Sequence, residues 1–262
     1  MTKLSTPSPD PQETPLLKSN LKLLRLPTIG REFQKLAREA AASNQTFEQY
    51  LLQLTELELA ARQSNALQAR MKQASLPVEK DLDTFDFSAI PALNKQKILE
   101  LARGEWITKH SNVCLLGQPG TGKTHLAISM AAAACRQGHR VRFFTAAALV
   151  NLLEEKQKLF QIDRFLTQLD RTDLLVIDEL GYLSFSRGGA ELLFQVFADR
   201  YERRSVLITS NLAFSEWGQI FQGERMTAAL LDRLMHHCDI SAMNGESFRF
   251  RKSMKGARKS RK

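Results

Sequence analysis

A glycine, four residues and then Gly-Lys-Thr make up the segment Gly117-Gln118-Pro119-Gly120-Thr121-Gly122-Lys123-Thr124. These residue types at this spacing suit phosphate. Glycines let consecutive backbone N–H groups turn inward toward anionic oxygens. Lys123 offers a point charge to the outer phosphates, and the Thr124 hydroxyl offers a ligand for Mg²⁺. The flanking pattern agrees. Val113–Leu116 reads as a strand, and Lys123–Gln137 as a helix whose N-terminus faces the anion.

Downstream, the apolar run Leu174-Leu175-Val176-Ile177 ends in Asp178-Glu179. A strand of that composition is buried, and its carboxyl end opens where parallel sheets bind ligands. Asp178 is placed to hold the Mg²⁺ shell, and Glu179 to orient or deprotonate an attacking water. A Glu beside the metal-binding Asp favours hydrolysis of ATP over transfer to a small molecule. A kinase would need a lid and a substrate pocket that the sequence does not display. Val206–Thr209 leads to Ser210-Asn211, a polar pair at a strand end where a γ-phosphate sensor would sit. The same pair would also serve as a cap for a helix starting near Phe214.

These residues need a scaffold. After Phe85-Asp86-Phe87 and Pro91, strand-like runs alternate with helical segments: Val113–Leu116, Val141–Thr145, Leu174–Ile177, Val206–Thr209 and a shorter Asp239–Ala242. The alternation predicts an α/β domain with a parallel sheet flanked by helices. A small all-helical N-terminal domain precedes it. Leu17, Leu21 and Leu24 share one face of a first helix that Pro27 ends. Ile29, Phe33, Leu36, Ala37 and Ala40 form a second stripe. Thr46 opens a third helix, with Gln49 completing a capping box and Phe47, Tyr50, Leu51, Leu54 and Leu57 on the apolar face. These stripes are expected to be core. Residues 1–15, rich in Pro, Ser and Thr, are expected to be disordered. The domains expected are then 16–76 (helical), 77–250 (nucleotide-binding) and a basic tail, 251–262.

The net charge is +9 over 262 residues, and Arg249–Lys262 carries eight basic residues and no acidic one, so the remainder is near neutral. Lys18, Lys22, Arg25, Arg31, Lys35 and Arg38 cluster near the front against Glu32 alone. Such segments favour a polyanion, usually nucleic acid, or simply solubilise the chain. The longest near-continuous apolar run, Leu126–Cys135, is too short to cross a bilayer. No secretion signal is seen at the front, and Cys114, Cys135 and Cys238 lack metal-ligand spacing. A cytoplasmic protein with buried thiols is expected, without a membrane partner.

Together these residues resemble the AAA+ ATPases, in the group that holds helicase loaders and insertion-sequence helpers. The finer match is to the IstB-like transposition helpers. It rests on the helical leader, Leu76-Pro77, Phe85-Asp86-Phe87, the phosphate loop continued through His125-Leu126-Ala127, and Asp178-Glu179-Leu180-Gly181-Tyr182. The resemblance adds His125 to the nucleotide-binding stretch. It implies that Asn211 senses γ-phosphate, that Arg233 is an arginine finger completing a neighbour's site (with Arg225 as rival), and that Arg249 is a second sensor. It also implies that the leader contacts DNA or a partner. The function implied is an ATP-dependent, largely sequence-nonspecific binder of double-stranded DNA that self-associates into a ring or spiral and assists a transposase. The alternative is a DnaC-like replicative helicase loader.

Overall fold

Five apolar runs become the five strands of one parallel sheet in the computed structural model, which describes residues 13–221 and 223–245. The leader holds α1 (Glu13–Leu23), α2 (Pro27–Ala42) and α3 (Phe47–Ala74). There follow α4 (Lys95–Ala102), α5 (Glu105–Thr108), β1 (Asn112–Leu116), α6 (Lys123–Arg136), β2 (Val141–Thr145), α7 (Ala146–Lys158) and α8 (Ile162–Asp170). The chain continues through β3 (Leu174–Leu180), α9 (Arg187–Arg200), β4 (Ser205–Ser210), α10 (Gly218–Phe221), α11 (Glu224–Met235) and β5 (Cys238–Ala242). Two units result, Met1–Gln68 and Ala69–Lys262, and the division falls within α3.

In the first unit, Leu21, Ile29, Leu36 and Leu54 form the core, with Leu26, Phe33 and Tyr50 packed against it. The expected capping box is present: Gln49 N–H donates to Thr46 Oγ1 at 3.2 Å, and Thr46 N–H to Gln49 Oε1 at 2.9 Å. Glu58 on α3 accepts from the Thr28 and Ile29 N–H groups at 2.8 and 3.1 Å, capping the start of α2. Three expectations need correction. The first helix starts at Glu13, inside the stretch expected to be irregular; Pro15 sits in its first turn, where no N–H is needed. Pro27 does not end that helix but opens the next, because its fixed φ suits the first helical position. The leucine stripes are only partly core. Leu17, Leu24, Phe47, Leu51 and Leu57 are exposed, Phe47 to 90%, as is Ala37. So small a unit has too little interior to bury them all.

In the second unit the strand order is β2-β3-β4-β1-β5, all parallel. Cys114, Leu175, Ile177, Val206 and Ile208 point to one face, onto Leu149 and Leu153 of α7 and Leu193 and Val196 of α9. The alternate residues Val113, Leu115, Leu174, Val176 and Leu207 are fully buried on the other face, where α6 crosses the sheet. This explains why α6 is apolar nearly all round. The three cysteines are free: Cys114 and Cys135 are buried and Cys238 is half-buried. Burial pushes the Cys135 thiol up to about 11. No helix among the described residues is long and apolar enough to cross a membrane.

Candidate functional site

The strand order decides the site. Because β3, β4 and β1 are neighbours, their last residues and the segments that follow lie side by side. These are Asp178-Glu179, Thr209–Asn211 and the loop Gly117–Thr124.

The loop leaves β1 at Gly117, whose N–H donates to Ser210 O at 3.1 Å. Gly117 has φ +152°, and a Cβ there would lie 2.2 Å from Met243 O, so only glycine lets the backbone pass. Thr121 Oγ1 donates to Gln118 O at 2.8 Å, closing the loop on itself around Pro119 and Gly120. The ammonium of Lys123, at the first turn of α6, donates to Gly117 O at 2.6 Å and to Gln118 O at 2.8 Å. Lys123 is 9% exposed, so its charge stays inside the loop.

Next to it, the Thr124 hydroxyl donates to Asp178 Oδ1 at 3.1 Å. Asp178 is 3% exposed. A hydroxyl and a carboxylate at this spacing form an all-oxygen donor pair, which fits Mg²⁺. Thr209 of β4, which sequence reasoning assigned to the strand without a role, donates its hydroxyl to the same Oδ1 at 2.5 Å and accepts the Glu179 N–H at 2.9 Å. The two acids were expected to end β3; instead the strand continues through them to Leu180, with a bulge between Ile177 and Leu180. Glu179 takes φ +60° there. In a regular strand, neighbours such as Asp178 and Glu179 face opposite sides. The bulge breaks that alternation and brings Glu179 to the cavity that also holds Thr124, His125, Thr209 and Asn211.

That cavity has a volume of about 640 Å³. Its far wall is the segment between α3 and α4, including Val78, Phe85 and Ile90. Sequence reasoning used Phe85-Asp86-Phe87 as a boundary and a family mark, without a place in the site. In space, the Phe85 ring covers Gly122, where a Cβ would lie 2.7 Å from the ring. It also meets the His125 ring edge-on at 5.3 Å. His125 Nε2 lies 3.0 Å from Asp81 O and 3.2 Å from Thr84 Oγ1, and Arg136 binds the Asp81 carboxylate at 2.8 Å. His125 thus holds this wall in place as well as lining the cavity.

Asn211 stands at the cavity, just past β4. Arg233 does not: it is exposed on the last turn of α11, its guanidinium 5.6 Å above the Phe194 ring. Arg225 is exposed on the first turn of the same helix. Arg249 and the tail 251–262 lie outside the described residues.

Comparison with known proteins bears on the family and the fold. The sequence profile of the family described as IstB-like ATP binding protein matches residues 19–256. A protein named for ATP binding in insertion sequence IS5376 of Geobacillus stearothermophilus is 38% identical over 228 residues, 87% of this chain and 91% of that one. Its counterpart in insertion sequence IS21 of Pseudomonas aeruginosa is 35% identical over 235 residues, 90% of this chain and 89% of that one. Among solved structures, AMPPCP-bound DnaA from Aquifex aeolicus superposes with a TM-score of 0.55 at 20% identity, covering 71% of this chain and 56% of that one. DnaI superposes with 0.52 at 17%, covering 64% and 90%. The fold is the α/β AAA+ fold.

Proposed function

The chain belongs to the IstB-like ATP-binding proteins, and from that membership we propose that it is an ATPase that assembles on double-stranded DNA and assists a transposase. The observation that carries the ATPase half is the Thr124–Asp178–Thr209–Glu179 chain of contacts, which supports Asp178 as a metal ligand beside Thr124 and leaves Glu179 at the cavity wall. Mg²⁺, when bound, would neutralise charge on the outer phosphates. Thr124 and Asp178 would hold it. Lys123 exchanges its loop carbonyls for phosphate oxygens. Glu179 orients the attacking water and takes its proton. Asn211 donates to the γ-phosphate, and Arg233 of a neighbouring subunit, with Arg225 as its rival, supplies the second cation. Arg249 is proposed as the second sensor.

The DNA half rests on charge and on kinship. The charges of the basic front cluster and the tail suit phosphates, and phosphate contacts position a protein without reading bases, which supports binding largely independent of sequence. A finger given in trans implies a head-to-tail contact, which builds a ring or a spiral. The insertion-sequence names of the relatives support the transposition reading over a helicase loader. A cytoplasmic site of action accompanies that reading.

Glu179→Gln tests both halves. It keeps size and hydrogen-bonding reach but removes the base, so turnover should fall about a hundred- to ten-thousand-fold while ATP still binds. Gel-shift decay in ATP should then show long-lived DNA complexes that wild type forms only with a non-hydrolysable analogue. Complexes that decay as fast as wild type, despite lost hydrolysis, would mean that turnover does not time release.

A further inference from the structure

Glu202, His236 and His237 converge on the surface of the second unit, away from the nucleotide cavity. Glu202 follows α9 and the histidines follow α11, so the cluster sits where two helix C-termini meet. One ligand atom from each residue lies within 4.8 Å of the others. The imidazole centroids are 4.2 Å apart, and His236 Nδ1 is 3.7 Å from Glu202 Oε1. The Tyr201 hydroxyl is 3.2 Å from the same nitrogen. We propose that Glu202, His236 and His237 form a three-ligand site for a divalent d-block cation of the zinc class.

The chemistry is specific in two respects. Two imidazoles and a carboxylate match the borderline-soft preference of zinc, whereas Mg²⁺ favours oxygen donors and its own water. The C-termini of α9 and α11 each present about half a negative charge, which favours a cation at that point. Zinc bonds of about 2.1 Å put tetrahedral ligands roughly 3.4 Å apart, so donors spread over up to 4.8 Å must close by up to about 1.4 Å. All three side chains are exposed and free to rotate that far. A cation bound at His236 Nδ1, the nitrogen that faces Glu202, displaces the Tyr201 hydroxyl from it. With water in the fourth position, the cation ties the end of α11 to the turn after α9. The site does not depend on the nucleotide or DNA reading.

The test is Zn²⁺ binding to the full chain by equilibrium dialysis without nucleotide, in excess Mg²⁺. Wild type should bind one more equivalent of zinc than His236→Ala/His237→Ala, and Glu202→Gln should weaken that equivalent at least about tenfold. Far-UV circular dichroism confirms that the variants fold. Equal stoichiometry in wild type and the double variant would overturn the site. Unchanged affinity in Glu202→Gln would overturn the three-ligand assignment.

Discussion

Thr209 stands between the two acids of β3, giving its hydroxyl hydrogen to Asp178 Oδ1 at 2.5 Å and taking the Glu179 N–H at 2.9 Å. One side chain on β4 thereby fixes both the Asp178 carboxylate, the proposed metal ligand, and the bulge that turns Glu179 into the cavity. Thr209→Val removes both bonds while keeping the shape. It leaves a partly buried N–H unpaired, at about 1–3 kcal/mol. The catalytic cost should exceed the binding cost: kcat should fall by up to about a hundredfold as Glu179 loses its aim, with ATP affinity nearly unchanged. Steady-state ATPase kinetics beside an ATP titration measure this. A variant that loses affinity and keeps kcat would show that Thr209 serves binding alone.

Lys123 gives the plainest check of the phosphate loop. Its ammonium is 9% exposed and held by Gly117 O and Gln118 O, where the loop curls around it. Lys123→Ala should abolish tight ATP binding, read with a fluorescent ATP analogue. Unchanged affinity would remove the loop from the site.

Gly122 and Phe85 test the cavity wall as a pair. Gly122 has φ +88°, and a Cβ there would lie 2.7 Å from the Phe85 ring. Gly122→Ala should therefore weaken nucleotide binding in two ways: by backbone strain of about 1–2 kcal/mol and by pushing the wall away. Adding Phe85→Leu relieves the clash and leaves the strain, so the double variant should recover part of the affinity. A cycle with no coupling would show that Phe85 does not bear on the loop.

Arg200 tests the scaffold. It is 3% exposed on α9, and its guanidinium donates to the carbonyls of Leu169, Thr172 and Ser205 at 2.9, 3.0 and 2.8 Å. Those carbonyls belong to the ends of α8 and β4 and the turn before β3. Arg200→Met keeps the stem but orphans them, and should destabilise the fold by about 2–4 kcal/mol in urea unfolding. A loss under about 1 kcal/mol would mean that water replaces the guanidinium.

How far the sequence discloses this site depends on how local each feature is. The strands match their apolar runs within a residue, except that β3 extends to Leu180; the central strands β1, β3 and β4 are buried on both faces, which makes their sequences near-continuous apolar runs. That Lys123, Thr124 and Asp178 would lie close together was likewise expected from motif and spacing. The bulge at Glu179 was not, since the hydroxyl that supports it comes from Thr209 on another strand. Phe85 over Gly122 was hidden for the same reason. In the leader, periodicity marked the helices but not how much of each apolar stripe finds an interior. Leu21 and Leu54 found a place in it; Phe47 and Leu51 did not.

Arg233 is the residue whose role depends most on assembly. It is exposed on α11, its guanidinium rests over Phe194, and it does not line the nucleotide cavity of its own chain. If it acts on hydrolysis as a finger, it acts on a neighbour. Arg233→Ala forfeits a stacking contact of about 0.5–1 kcal/mol, so it should fold and bind ATP normally. Its turnover should fall about a thousandfold or more, the usual worth of such an arginine. Lys123→Ala subunits have the opposite defect, an intact Arg233 and no ATP. Mixed in equal amounts in a head-to-tail assembly, about a quarter of the interfaces pair a nucleotide-competent site with an intact arginine. The mixture should therefore regain about a quarter of the wild-type rate, although each variant alone is inactive. The same mixing with Arg225→Ala decides between the rivals, since only the true finger gives complementation. If no mixing ratio raises turnover for either arginine, the second cation does not come from α11.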